Sequence, residues 1–259
     1  MYGSRRCVIV LKIYSVINMD IVNSRKLNNR KEINIQLENY FKSLEEQYKD
    51  SLVSKITFTL GDEWQIVLRN IKVSYDISTK IKVFLYNFDI ECYCGIGIGT
   101  ISTKEDDDTR KMDGEAFIYA RQALEIAKSN KKFYSKKLYT KDCKTVLKGA
   151  VPKSNIMEEA AVTCDDDSHV LINYEELINN IIQNNEMIES KFTYKQRNII
   201  ALYEKLESYS EIQHKYPNIS KSGISRKITS SNYLLTLHNK KMINKLLSSY
   251  EKELSLREI

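Results

Sequence analysis

Residues 55–68 read KITFTLGDEWQIVL, two runs rich in β-branched and aromatic side chains on either side of a Gly-Asp-Glu tip. Such runs suit pleated, half-buried strands, and Gly61-Asp62 supplies the backbone freedom a tight connection needs. The stretch predicts a hairpin with the carboxylate of Asp62 at its end. Upstream, residues 7–23 alternate as one central strand that Asp20 interrupts, and Asn23-Ser24-Arg25 begins a turn. Between the two, residues 30–50 carry Ile33, Ile35, Leu37, Tyr40, Phe41 and Leu44 at mostly helical spacing. Downstream come a helix-like segment at 68–80 and the strand YCGIGIGTIS at 93–102, whose alternate glycines leave room for close backbone approach. An acidic surface loop at 103–113 leads to a helix with Ala116, Tyr119, Ala120, Ala123 and Ile126 on related faces. Strand, helix, hairpin, helix, strand, helix is the order of an α+β domain with an antiparallel sheet, not of a doubly wound nucleotide fold.

At 259 residues and 42% hydrophobic, the chain can bury one large core or two modest ones. No apolar run is long enough to span a bilayer, so no membrane partner is expected. Basic residues before the apolar start imitate a signal peptide, but Lys12 interrupts the run and no small-residue cleavage site follows, which favours a strand. Five cysteines without framework spacing fit the reducing cytoplasm, and Cys92 and Cys94 read as buried thiols on one strand face. Residues 138–149 and 169–176 suggest edge strands, with the aspartates of CDDDS at 164–168 in a solvated turn.

The formal charge of +6 is localised: residues 188–259 hold 13 Lys+Arg against 7 Asp+Glu, whereas residues 1–187 hold 27 of each. An excess confined to the last quarter favours a polyanion partner there. After a polar helix from 174 to 190, Ile199, Ile200, Leu202, Tyr203 and Leu206 mark one helix and residues 210–215 a short second one. Tyr216-Pro217-Asn218 supplies a turn. Ser220 then caps a third helix carrying Ile224 and Ile228 inward and Lys221, Ser222, Ser225, Arg226 and Thr229 outward. That is the pattern of a helix-turn-helix, whose second helix enters the major groove of double-stranded DNA. A small basic bundle used for self-association is the alternative. The leucine-rich stretch 233–256 either packs on these helices or forms a homodimer contact.

Aspartate is rarely buried without a partner, and Asp20 sits in an apolar strand beside the expected hairpin. Adjacent strands would bring Asp20 and Asp62 together as ligands for Mg2+ or Mn2+. The backbone carbonyl of Ile21 would be a third ligand, and phosphate oxygens could fill the remaining positions. Arg25 and Arg121 are the nearby cations suited to a nucleotide or other phosphate ligand. Ion pairs with arginines, without any metal, would account for the same carboxylates.

MDIV, KITFTLGDEWQIVL, GIGIGTIS and EAFIYARQALEIAK, in that order, resemble the palm domain of the class III nucleotidyl cyclases. The resemblance implies a ferredoxin-like palm in which Asp20 and Asp62 match the family's metal-binding aspartates and Arg121 its phosphate-steadying arginine. Phe117 stands where that family has the ribose-positioning Asn, and Phe58 where it has the purine-reading Lys. The blocks NMDIVNSRKL, FTLGDEWQ and GIGIGTISTKEDDDTRKMDGEAFIYARQALEIAK resemble the SatD family more closely still, over nearly the full length. Ser24, Arg25, Asp113 and Gly114 match its motifs, while Met19 replaces its usual Gly.

The expected organisation is a ferredoxin-like, cyclase-type palm at 10–172, a connecting helix at 173–187 and an all-α helix-turn-helix domain at 188–256. The expected function is a DNA-binding regulator whose palm senses a nucleotide or phosphate ligand through a divalent metal. Arg25, Phe58, Phe117 and Arg121 would contact the ligand. One alternative is a magnesium-dependent cyclase or phosphoryl-transfer enzyme with Arg121 as its catalytic cation. A non-catalytic scaffold is the other.

Overall fold

The computed structural model describes residues 8–27, 30–129, 143–152 and 173–258. Its centre is a five-stranded sheet. The strands are β2 (Tyr14–Ile21), β3 (Thr57–Leu60), β4 (Glu63–Leu68), β5 (Cys92–Gly99) and β6 (Thr145–Gly149), in the spatial order β3-β4-β2-β5-β6. All neighbours are antiparallel except β5 and β6, which run parallel, so the expected antiparallel sheet is only mostly so. The hairpin β3–β4 turns at Gly61, whose φ of 60° lies in the left-handed region that glycine adopts without a Cβ penalty.

The run at 7–23, read as one strand, is divided. Val8–Val10 form a separate short strand, β1, antiparallel to the C-terminal β7 (Leu256–Glu258). Alternation specifies extended backbone but not its partner, and here the N–H of Leu11 bonds to the carbonyl of Ser255 rather than to the main sheet.

One sheet face carries α1 (Arg30–Gln47) and α2 (Ser74–Tyr86). Ile33, Leu37, Phe41 and Leu44 recur at intervals of three and four, which places them on one side of α1, and they join Ile17, Met19, Trp64, Ile66, Ile96 and Ile98 in the main core. The other face receives α3 (Glu115–Lys128). Its inward ridge of Ala116, Ala120, Ala123 and Ala127 is small, and the strand beneath is stripped to glycine. A Cβ on Gly97 would lie 2.1 Å from the carbonyl oxygen of Ala116, and one on Gly95 would lie 2.3 Å from the Leu124 amide nitrogen. The alternate glycines of β5 therefore set the helix-to-sheet distance.

The rest of the chain is helical: α4 (Tyr174–Glu189), α5 (Tyr194–Leu206), α6 (Tyr209–Lys215), α7 (Lys221–Ser230) and α8 (Tyr233–Ser255). Tyr174–Glu176, expected at the end of an edge strand, instead open α4, with the Asn173 side chain accepting from the Glu176 amide as its N-cap. Residues 138–142 and 169–172 of the two expected edge strands, and the acidic turn at 164–168, lie outside the described residues. α4 is more than a connector, since Ile178 and Ile182 are fully buried in the main core. α5, α6, α7 and the start of α8 surround a second core of Ile199, Ile200, Ile212, Ile224, Ile228 and Tyr233. α8 runs through both, with Tyr233 in the helical core and Ile243, Leu247, Tyr250 and Leu254 in the main one.

Candidate functional site

The period of two along β2 sends Ile17, Met19 and Ile21 into the main core, and so Asn18 and Asp20 to the α3 face. On the neighbouring strand, Gln65 donates to the Asn18 side-chain oxygen at 2.9 Å, and Asp20 stands opposite Glu63. Asp62, at the hairpin turn, thereby comes beside the end of β2. A cleft of about 650 Å³ opens there, lined by Asp20, Ile21, Asp62 and Glu63, and by Arg25, Lys26 and Arg30 on its cationic side.

Each carboxylate has a cationic partner. The Lys128 ammonium lies 2.5 Å from Asp20 Oδ2 and 3.8 Å from Glu63 Oε2. The Arg30 guanidinium donates to Asp62 Oδ1 at 3.1 Å. Burial pushes the Asp20 carboxyl above its ordinary range; Lys128 pulls it down, while Asp62 pushes it up both by charge and as a hydrogen-bond partner. The two aspartates thus line one cleft, and the charge of Asp62 acts on the Asp20 carboxyl.

A hard divalent cation takes oxygen ligands, and the oxygen donors lining this cleft include the carboxylates of Asp20, Asp62 and Glu63. Among the described residues no three His, Cys, Asp or Glu side chains converge in a metal-binding group. An ion held there would take the two aspartates and the Ile21 carbonyl from the protein and keep waters or phosphate oxygens in its other positions. Lys128 and Arg30 would have to yield their carboxylates to it.

Arg121 and Phe117 lie on α3 in an adjoining cleft of about 730 Å³ that shares Glu63 with the first and is also lined by Asn18, Gln65, Arg110 and Lys111. Arg121 is exposed and Phe117 half-buried. Phe58 is not brought to either cleft. It belongs to the opposite sheet face, where its ring lies 5.6 Å from Phe41 and 6.2 Å from Trp64. One residue of strand register separates it from the face that carries Asp20, so its aromatic ring is core packing.

Sequence reasoning passes over Lys128, Arg30 and Glu63. Lys128 was legible in principle, because it follows Arg121 by two helical turns and shares its face. Arg30 had no local signal, since it is defined by a contact 32 positions away.

In the second core, Ile224 and Ile228 are fully buried and fix the rotation of α7. Lys221, Ser222, Arg226 and Thr229 are consequently exposed, as the spacing predicts, whereas Ser225 is half-buried. Ser220 accepts from the Gly223 amide at 3.1 Å and caps the helix, and α7 contains no acidic residue.

These features define an α+β protein with a carboxylate cleft at one end of a mostly antiparallel sheet and a basic helical C-terminal part. The chain belongs to the SatD family, whose model matches residues 14–151, more than half of its length. No curated protein matches it. Among the described residues no helix is long and apolar enough to cross a membrane.

Proposed function

We propose that this SatD-family protein is a DNA-binding regulator whose sheet domain senses a phosphate-bearing ligand, such as a nucleotide, through a divalent metal held by Asp20 and Asp62. The observation that carries the reading is the face of α7. Lys221, Ser222, Arg226 and Thr229 project from a helix locked by Ile224 and Ile228, behind a tight turn, and α7 itself carries no acidic side chain. α6, the turn at Tyr216–Ser220 and α7 are then the two helices of a helix-turn-helix, and α7 is its recognition helix. Two copies of the chain would present two such helices to a symmetric site.

The sheet supports a ferredoxin-like palm. Strand, helix, hairpin, helix, strand, with the spatial order β3-β4-β2-β5, is the split βαβ arrangement doubled. In such a palm, Arg25, Lys26 and Arg121 would meet the phosphates and the Ile21 carbonyl would complete the metal's protein ligands. The ion supplies charge neutralisation between carboxylate and phosphate oxygens. Lys128, released from Asp20, is a further cation for the ligand. α8 offers a physical connection, because one rigid helix is rooted in both cores and a shift at one end moves the other.

The test is a mobility-shift titration of random-sequence duplex DNA at about 50 and 200 mM salt, where several phosphate contacts predict a steep loss of affinity. Arg226→Ala should weaken binding and lessen the salt slope. No shift at the lower salt would overturn the DNA reading. Manganese titrated with ATP and followed by electron paramagnetic resonance should report a bound ion that Asp62→Asn removes.

A further inference from the structure

A second cavity, of about 240 Å³, lies on the opposite side of the sheet, between α2, the ends of β5 and β6, α4 and α5. Among the described residues three cations line it, and two are spent. Lys82 is paired with Glu186, and Lys144 with Glu91 at 2.9 Å. The third, Arg197, has no carboxylate within ion-pair reach among the described residues. Its guanidinium lies over the Tyr86 ring at 4.1 Å and near the Phe192 ring at 5.5 Å, and one nitrogen donates to the Glu189 carbonyl at 2.6 Å. Glu189 itself, the remaining acid of the lining, is paired with Lys240 at 3.6 Å.

A guanidinium carries five N–H donors in a planar fork that matches a carboxylate, and among the described residues most of those on Arg197 are uncommitted. Its place over the Tyr86 ring sets the fork at the cavity wall. Beside it, Val83, Ile90 and the Tyr86 ring give the cavity an apolar side. A charge-bearing fork at one edge and an apolar wall next to it recognise an amphipathic anion. The volume is below that of sites for drug-sized ligands, which limits the occupant to a small one.

We infer that this cavity is a binding site for a small organic monocarboxylate with an apolar body, anchored by Arg197 and packed on Tyr86. It is separate from the Asp20–Asp62 cleft and does not rest on the function proposed for it. Because Arg197 belongs to α5 while Lys82 and Tyr86 belong to α2, an occupant touches both the helical C-terminal part and the sheet domain.

Benzoate is a suitable probe, with benzamide as its uncharged analogue of nearly the same shape. For the full chain, calorimetric titration should give saturable benzoate binding with a dissociation constant on the order of a millimolar, as expected for so few heavy atoms. Benzamide should bind at least about tenfold more weakly, because it cannot pair with the guanidinium. Arg197→Gln, checked for an unchanged circular dichroism spectrum, should lose benzoate by a similar factor, and Asp62→Asn should not. Saturation-transfer NMR should show contact between the benzoate ring and Tyr86. Absence of saturable binding, equal binding of the two probes by the wild type, or benzoate mapped to Arg25 and Arg30 instead would overturn the assignment. The comparison of probes needs no variant, so it decides the matter even if Arg197→Gln does not fold.

Discussion

Replacing Lys82 with Met should destabilise the protein by about 3–5 kcal/mol, the usual cost of leaving a buried charge without its partner. Both side chains are largely withdrawn from water, at 16% exposure for Lys82 and 10% for Glu186. Glu186 is bound on every side. One carboxylate oxygen accepts from the Lys144 amide at 2.5 Å and the Thr145 amide at 3.1 Å, and the other from the Thr145 hydroxyl at 2.5 Å and from Lys82. Burial works against charge on both partners. Their attraction, with the hydrogen bonds from Thr145 and Lys144, nevertheless keeps the Glu186 carboxyl below and the Lys82 ammonium above their ordinary ranges. Methionine matches the lysine stem in volume, so the loss is electrostatic rather than a cavity.

Adding Glu186→Gln to the Lys82→Met variant should recover about 2–3 kcal/mol, because a neutral amide can still accept from the two backbone N–H groups and donate to Thr145. Urea unfolding of the wild type, both single variants and the double variant closes the cycle. In Lys82→Met the stranded glutamate should titrate above its unfolded value. A raised carboxyl is harmless below the unfolded pKa and costs stability as pH rises towards the folded one, so the deficit against wild type should be smaller at about pH 5 than at pH 8. A Lys82→Met cost below about 1 kcal/mol, or coupling near zero, would refute the claim that this pair is buried and charged.

Gly97→Val should cost at least about 3 kcal/mol, seen as a lower urea midpoint, because its Cβ would meet α3 backbone at 2.1 Å and neither backbone can yield cheaply. Glu105 accepts from Arg69, Lys12 and Tyr14, which hold its carboxyl down at about 2. A depressed carboxyl stabilises above the unfolded pKa, so Glu105→Gln should cost about 1 kcal/mol from pH 8 to 5, discounted for its 29% exposure. That difference should vanish as pH falls from about 4.5 towards 2 in parallel acid titrations. Thr193 and Gln196 form a reciprocal capping box at the start of α5, and Thr193→Ala should cost about 1 kcal/mol by thermal unfolding.

Much of the fold was legible because local rules and tertiary packing agreed. The hairpin at 55–68, the amphipathic helix after Arg30 and the glycine strand each carried a periodicity or a turn residue that one face of the sheet then used. Readings failed where the decisive fact was a distant partner. The run beginning at Val8 has the alternation of a strand, yet Val8–Val10 pair with residues at the other end of the chain. Phe58 sits four residues before Asp62, but the alternation of β3 carries its ring to the opposite face.

By itself the sequence determined the polarity of α7 and the charge of the last quarter, since residue identity and short-range spacing are sufficient for those; that Asp20 and Asp62, 42 positions apart, line one cleft took the sheet. Tertiary structure decided which cations answer the carboxylates. Lys128 and Arg30 reach them only after α3 is seated on the glycine strand and α1 is laid beside the hairpin. It also decided that Tyr233–Ser255 form one helix shared by two cores, and that Arg197 lines a cavity beside Tyr86. The physical reason is range. Hydrogen-bonded turns and apolar periodicity act over a few residues, whereas a salt bridge or a cavity wall is made by chain segments brought together from far apart, and no local pattern encodes the meeting.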